Sequence, residues 1–364
     1  MPGSDIGSQG TGLVPSAAMR ALVLHGPDDL RLEEVPVPVP GPGEVLLRVT
    51  GALTCATDAK MMRQGGHPAL PPNPAPFGHE ACGVVIAMGD GATGVAEGDA
   101  VVVANSAPCG ECPPCMAGRP SLCESIVYLS GAFAEYLLVP ARIAQRNMLP
   151  LPAGLSPRRA AMVEPLACAV RGAERVQAGA ADEVVVLGGG VQGTLMASLL
   201  AGRGCRVTLC DPHGARRERA LRFGAARAMD APRDAAAVQA VKAAHGGARG
   251  PAAVVEAVGR PEAWEAAVAI ARPGGEVLLY GGCEAGTAVT LPTFPLHYGE
   301  LSIRGSYHHT PDAVRAALAR LAAGDAPYDE LIGDEIGLDE VADVLRAGSG
   351  EKRPVRTAPE EFRP

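Results

Sequence analysis

Up to about residue 139 the apolar positions come in short runs, many of them β-branched, separated by turn residues. Residues 19–24, 30–35, 43–50, 84–88 and 100–104 each read as a strand. Gly26-Pro27-Asp28, Gly89-Asp90-Gly91 and Glu97-Gly98-Asp99 supply turns between them. Pro36, Pro38, Pro40 and Pro42 exclude helix between the second and third runs. The pattern predicts a β-rich, barrel-like domain. From Ser156-Pro157, a helix start with proline in its first turn, the texture changes. Strands at 183–187, 206–210, 252–258 and 276–280 alternate with Ala-rich amphipathic stretches such as 194–203 and 215–223. That alternation predicts a doubly wound parallel sheet. Helices are expected at 311–323, ended by Gly324, and at 338–346.

Length and charge narrow the field. A chain of 364 residues suggests two domains. A net charge of −8 disfavours nucleic acid or an anionic membrane as main partner. Only one Trp, Trp264, is present, so a stacking platform for bases is not expected. No apolar run approaches the ~18 residues a membrane span needs. Residues 1–18 form a Gly/Ser-rich lead with neither basic nor apolar region, expected to be disordered and not a signal peptide. A cytoplasmic location follows as the expectation, where clustered cysteines serve as metal ligands rather than disulfides. Lysines are few: Lys60, Lys242 and Lys352.

Three constellations carry chemistry. Cys109-x2-Cys112-x2-Cys115-x7-Cys123, punctuated by Gly and Pro, can wrap one zinc as a closed structural site. An iron–sulfur cluster or free thiols are the competing assignments. Next, Gly188-Gly189-Gly190-Val191-Gln192-Gly193 follows an apolar strand and opens a helical stretch, the context that turns a glycine motif into a dinucleotide site. Its pyrophosphate would sit at the helix N-terminus. Asp211, at the end of the next strand, suits the ribose hydroxyls of NAD and would repel a 2′-phosphate, whereas Arg216 and Arg217 keep NADP in view. The third comprises Cys55-Ala56-Thr57-Asp58 and Gly78-His79-Glu80, read as two short segments flanking a loop, with Glu164-Pro165-Leu166-Ala167-Cys168 at the domain junction. Thiolate, imidazole and carboxylate suit a catalytic zinc, with Asp58 orienting His79. Equally, Glu164 could face a helix dipole and Cys168 could be a small buried hydrophobe.

Together these motifs resemble the zinc-dependent medium-chain dehydrogenase/reductase family, and Glu164-Pro165-Leu166 resembles its polyol, sorbitol, threonine and cyclitol dehydrogenase branch. Phe133-Ala134-Glu135-Tyr136, Val255-Glu256-Ala257-Val258-Gly259 and Arg272-Pro273-Gly274-Gly275 add to the likeness, which runs from Met19 to about Thr357. The resemblance implies an α/β chain with a GroES-like β-rich catalytic domain (residues 19–160 and 296–364) interrupted by a Rossmann dinucleotide-binding domain (161–295). It implies Cys55, His79, Glu80 and Glu164 around a catalytic zinc, with Glu80 or Glu164 binding directly. A structural zinc is implied on Cys109, Cys112, Cys115 and Cys123. Thr57 is implied as the hydroxyl that passes the substrate proton, with Asp58 behind His79. Gly188, Gly190, Val191, Gln192, Gly193, Asp211, Arg216 and Val258 are implied at the coenzyme.

Lys60 departs from the family, where His is frequent, and has three readings: a proton carrier, a contact to a polar substrate group, or a solvated side chain. The expected activity is hydride transfer between NAD(H) and a secondary alcohol or ketone of a polyol, sugar or cyclitol. A threonine-like amino alcohol or a simple alcohol is the alternative substrate, and a non-catalytic dinucleotide-binding scaffold the alternative class. A small hydroxylated molecule is the expected ligand, and a homodimer or homotetramer the expected assembly. His308 and His309, being adjacent, are not expected to share an ion and are read as a loop lining the cleft.

Overall fold

The computed structural model describes residues 17–348 and 350–357. Most of the lead expected over residues 1–18 lies outside the described residues. The first strand is Ala18–Gly26.

Two sheets make the β-rich lobe. A five-stranded antiparallel sheet runs in the order Met148–Pro150, Ala100–Val103, Glu80–Met88, Val45–Leu53, Tyr136–Val139. Beside it, Asp29–Pro36, Ala18–Gly26 and Ala75–Pro76 form a three-stranded sheet. Alternating residues such as Leu22, Leu47, Val101 and Phe133 fill the space between them. This is the barrel that the short, turn-punctuated runs predict.

The second lobe is a six-stranded, wholly parallel sheet. Its order is Arg227–Met229, Arg206–Cys210, Glu183–Leu187, Ala253–Glu256, Glu276–Leu279, Ser302–Gly305. Strand order reverses between Glu183–Leu187 and Ala253–Glu256, which opens a crevice at their carboxyl ends. Val184, Val185 and Val186 are fully buried, as strands covered on both faces require.

The sixth strand, Ser302–Gly305, pairs into this sheet although it lies past residue 295, where the nucleotide domain is expected to end. Its residues Ser302, Ile303, Arg304 and Gly305 are only partly covered or exposed. An edge strand of this composition carries little apolar signal.

Helix Val163–Glu174 joins the lobes. It packs against Val191–Gly202 and Pro311–Ala323, and one continuous core takes in Leu53 and Val102 from the front lobe with Leu166, Leu195 and Leu318. Thr310 caps Pro311–Ala323 by accepting from the Ala313 amide, and Gly324 ends it in the left-handed conformation. No described helix is long and apolar enough to cross a membrane.

Candidate active site

Sequence reading treats the stretch after Cys55 as loop; the structure makes it a helix, Ala56–Gln64, with Cys55 as its N-cap. The reason is local. Asp58 reaches back to accept from the Cys55 amide at 2.9 Å, and Gly65 closes the far end in the left-handed region. The other oxygen of Asp58 accepts from His79 Nδ1 at 2.7 Å, with both side chains buried. One carboxylate therefore fixes both the helix start at Cys55 and the His79 ring, turning Nε2 toward the ligand side.

Cys55, His79 and Glu80 bring donor atoms within 4.8 Å of one another. A tetrahedral zinc with bonds of about 2.0–2.3 Å needs its ligand atoms about 3.3–3.8 Å apart, so this thiol–imidazole pair fits such an ion. Glu80 is less available. Both its oxygens accept from the ammonium of Lys352, with Oε2 at 2.6 Å, and both side chains are buried. Burial pushes the Glu80 carboxyl up and the Lys352 ammonium opposes it. Burial also disfavours the Lys352 charge, but Glu80 outweighs it and holds the ammonium above its usual range. At Cys55, burial raises the thiol while Lys352 and His79 pull it down, to about 7 overall. His79 is held above the usual imidazole range: burial opposes its charge and Asp58 overrides.

Glu164 is buried in the first turn of Val163–Glu174, and Cys168 lies one turn on. These two and His308 form a second close group, with Cys168 Sγ 3.5 Å from Glu164 Oε1. Burial raises both the Glu164 carboxyl and the Cys168 thiol. Lys352 engages Glu80, while Glu164 lies near enough to His79 for its charge to favour the ionised carboxyl. Thr57 is exposed at the helix start, and Lys60 is near enough to Cys283 for its charge to act on that thiol.

His308 adopts φ 59°, a left-handed conformation uncommon for a residue with a side chain. Its Nε2 is 2.5 Å from Ser106 Oγ, and the neighbouring His309 Nε2 is 2.8 Å from Asn105 Oδ1. Burial lowers His308 to about 4, leaving a neutral ring at pH 7. Among the described residues the two histidines have different hydrogen-bond partners. Lys352, Ser106 and Asn105 escaped the sequence reading. Nothing local to them marks them, because each meets its partner only through the fold.

Cys109, Cys112, Cys115 and Cys123 bring four sulfurs within 4.8 Å. Amides of Glu111 and Cys112 point at Cys109 Sγ, at 3.5 and 3.3 Å, and draw that thiol down to about 6. The Cys123 sulfur accepts from the Cys109 amide at 3.2 Å. Amides aimed at sulfur are the environment a bound thiolate needs, so the donor set fits a structural zinc.

Across the cleft, Gly188 (φ 100°) turns the chain out of its strand, and Gly190 stands immediately before helix Val191–Gly202. A Cβ on Gly193 would lie 1.8 Å from the Gly188 carbonyl, whereas one on Gly190 would enter open space. That space, at a helix N-terminus, is where a pyrophosphate fits. It belongs to a cavity of about 1020 Å³ bordered by Gly188, Gly190, Asp211, Arg216 and Val258. Asp211 accepts from the Gly189 amide at 2.7 Å and the His213 amide at 2.8 Å. Burial works against the Asp211 charge, but these donors keep the carboxyl below its usual value. Arg216 lies 3.6 Å from the same carboxylate. Gln192 donates to the Pro165 carbonyl and accepts from Tyr280, which ties the glycine turn to the helix carrying Glu164.

Comparison with known proteins defines the class. The alcohol dehydrogenase GroES-like domain family matches residues 41–152, and the zinc-binding dehydrogenase family matches 192–323. Erythritol/L-threitol dehydrogenase of Mycolicibacterium smegmatis is 31% identical over 360 residues, covering 93% of this chain and 97% of its own. D-arabinitol dehydrogenase 1 of Uromyces fabae is 30% identical over 338 residues, covering 90% and 93%. A zinc-binding dehydrogenase of Sinorhizobium meliloti, solved with NADP, superposes with a TM-score of 0.85 at 32% identity over 93% of this chain and 99% of that one. The chain belongs to the zinc-dependent medium-chain dehydrogenase family. Within that family it is an oxidoreductase of the alcohol and polyol dehydrogenase type, whose members act on small hydroxylated substrates.

Proposed function

We propose that this protein oxidises a secondary alcohol in a polyol, sugar or cyclitol with NAD as hydride acceptor, and reduces the corresponding ketone in reverse. The observation that carries the reading is the Cys55–His79 pair, with Glu164 near enough for the His79 charge to act on it, and the Gly188–Gly193 turn tied through Gln192 to the helix that carries Glu164. Cys55, His79 and Glu164 would hold a zinc, which would polarise the substrate oxygen as a Lewis acid, and a bound nicotinamide would supply the hydride acceptor. The chain's own residues do the rest. Asp58 orients His79 so that its second nitrogen stays a ligand. Thr57, exposed at the helix start, is assigned to pass the substrate hydroxyl proton on, taking it as it gives up its own to solvent water. Lys60 stays without an assigned step.

The glycine turn fixes the coenzyme relative to the metal ligands, so that hydride transfer becomes effectively intramolecular. We assign Ser106, His308, Tyr128 and Tyr307, a cluster that meets Glu164 and Cys168 through His308, to the substrate lining, where they would offer hydroxyls and a neutral imidazole; the Tyr128 and Tyr307 oxygens are 3.2 Å apart. Such a lining supports a hydroxylated substrate over an apolar one. The Asp211 carboxylate supports NAD, since a 2′-phosphate would meet its charge; Arg216 supports the lesser possibility of NADP.

A panel of polyols, cyclitols, threonine and short alcohols, each with NAD and with NADP, tests this by the absorbance of the reduced coenzyme. Turnover of a polyol or cyclitol with NAD at least tenfold above NADP is the expected result, a ratio in the range one coenzyme contact can set. Turnover of threonine alone, or preference for NADP, would overturn the substrate or coenzyme assignment respectively.

A further inference from the structure

Arg219, on the helix Gly214–Arg222 beyond Asp211, is 5% exposed, an unusual position for a guanidinium whose ion-pair partner Glu351 is half exposed. Its Nη2 donates to the carbonyl of Gly189, inside the glycine turn, at 3.1 Å. The same nitrogen reaches the carbonyl of Gly350 at 3.4 Å, and Nη1 lies 3.6 Å from Glu351, whose side chain is half exposed. Its Nε has no partner among the described residues. Burial lowers the Arg219 pKa, and the carboxylates of Glu351 and Asp211 offset this only in part. For stability alone this is a poor use of a charge, because a packed apolar side chain of similar length would do as well.

What the arrangement does supply is a connection. Gly350 and Glu351 belong to the last segment of the chain, which returns to the front lobe. A Cβ on Gly350 would lie 2.5 Å from Arg216, so this segment rests against the arginine beside Asp211. One residue after Glu351 comes Lys352, whose ammonium grips Glu80 and also reaches the Thr54 carbonyl at 3.4 Å. Arg353 then donates to Thr54 Oγ1 at 2.9 Å, immediately before Cys55. At the coenzyme end, the Gly189 amide is already committed to Asp211. A chain of contacts thus runs from Asp211 through Gly189, Arg219 and residues 350–352 to Glu80, with Arg219 near its middle.

We propose that Arg219 is a positioning residue that couples coenzyme binding at the glycine turn to the metal-binding face, acting through residues 350–352 on Lys352 and Glu80. The inference rests on the dinucleotide reading above. Anything that orders Gly189 and Asp211 orders Arg219, and with it the segment that sets where Lys352 holds Glu80. By reciprocity, an ordered metal face then favours the coenzyme by the same factor.

Hydrogen–deuterium exchange on the full-length, zinc-loaded protein tests it, with and without saturating NADH. In the unaltered protein NADH should slow exchange in residues 188–194 and, in addition, in 350–357, the latter on the order of tenfold. In Arg219→Met, with NADH raised to saturation, protection of 188–194 should persist while that of 350–357 falls below about twofold. Arg219→Lys, which keeps the charge, should recover most of it. In parallel, kcat at saturating NAD should fall in Arg219→Met, beyond any rise in KM. Undiminished NADH-induced protection of 350–357 in Arg219→Met, with kcat unchanged and only KM raised, would overturn the coupling. Should that variant not fold, Glu351→Gln reads the same signal: reduced protection of 350–357 supports the proposal and full protection overturns it. Failure of the unaltered protein to bind NADH at all would instead remove the dinucleotide reading, and the coupling with it.

Discussion

The Lys352–Glu80 pair lies wholly inside the protein, and its two charges are tolerable only together. Removing one partner leaves an uncompensated buried ion, whereas removing both leaves none. Lys352→Met is therefore expected to lose about 3–5 kcal/mol of stability. Glu80→Gln/Lys352→Met together should lose less than Lys352→Met alone. Urea unfolding of the two variants checks this, and a double variant weaker than the single would contradict it. The sequence made Glu80 legible, because Gly78-His79-Glu80 is local, but not its partner 272 positions away. It also left open which of Glu80 and Glu164 faces a metal, a choice that turns on Lys352. Asp58 was readable in advance because its two partners lie within the motifs themselves.

At the level of elements, the lobe carrying four cysteines shows how spacing can outweigh packing. None of residues 109–122 is buried, so little apolar surface holds this segment in place. Cys112→Ser should cost one equivalent of bound zinc and raise amide exchange across 109–123 at least about tenfold. NADH affinity should remain within about twofold, because the coenzyme turn lies in the other lobe. Unchanged zinc content, measured by elemental analysis, would contradict a metal role for these thiols. Helix Ala56–Gln64 is the opposite lesson. Pro and Gly between residues 65 and 78 colour the whole stretch as loop, and the Asp58 cap that starts the helix was read only as a partner of His79. Strands with buried valines and the Gly188 turn were plain, while the edge strand Ser302–Gly305 was not, since an edge needs few apolar side chains.

Over the whole molecule, two lobes share a core through helix Val163–Glu174, and that helix carries Glu164 near enough to His79 for its charge to act on the carboxyl. Alternation of strand and helix announced the parallel sheet, and short punctuated runs announced the barrel. The meeting of the lobes was legible only through resemblance, because no periodicity encodes which faces come together. The central claim is that one ion is held across this junction by Cys55, His79 and Glu164, facing the coenzyme. Anomalous diffraction at the zinc edge, from crystals grown with NAD, tests it most directly. The account predicts two zinc peaks per chain: one amid the four cysteines, and one about 2.3 Å from Cys55 Sγ and about 2.0 Å from His79 Nε2 and a Glu164 oxygen. A single peak, confined to Cys109, Cys112, Cys115 and Cys123, would contradict it.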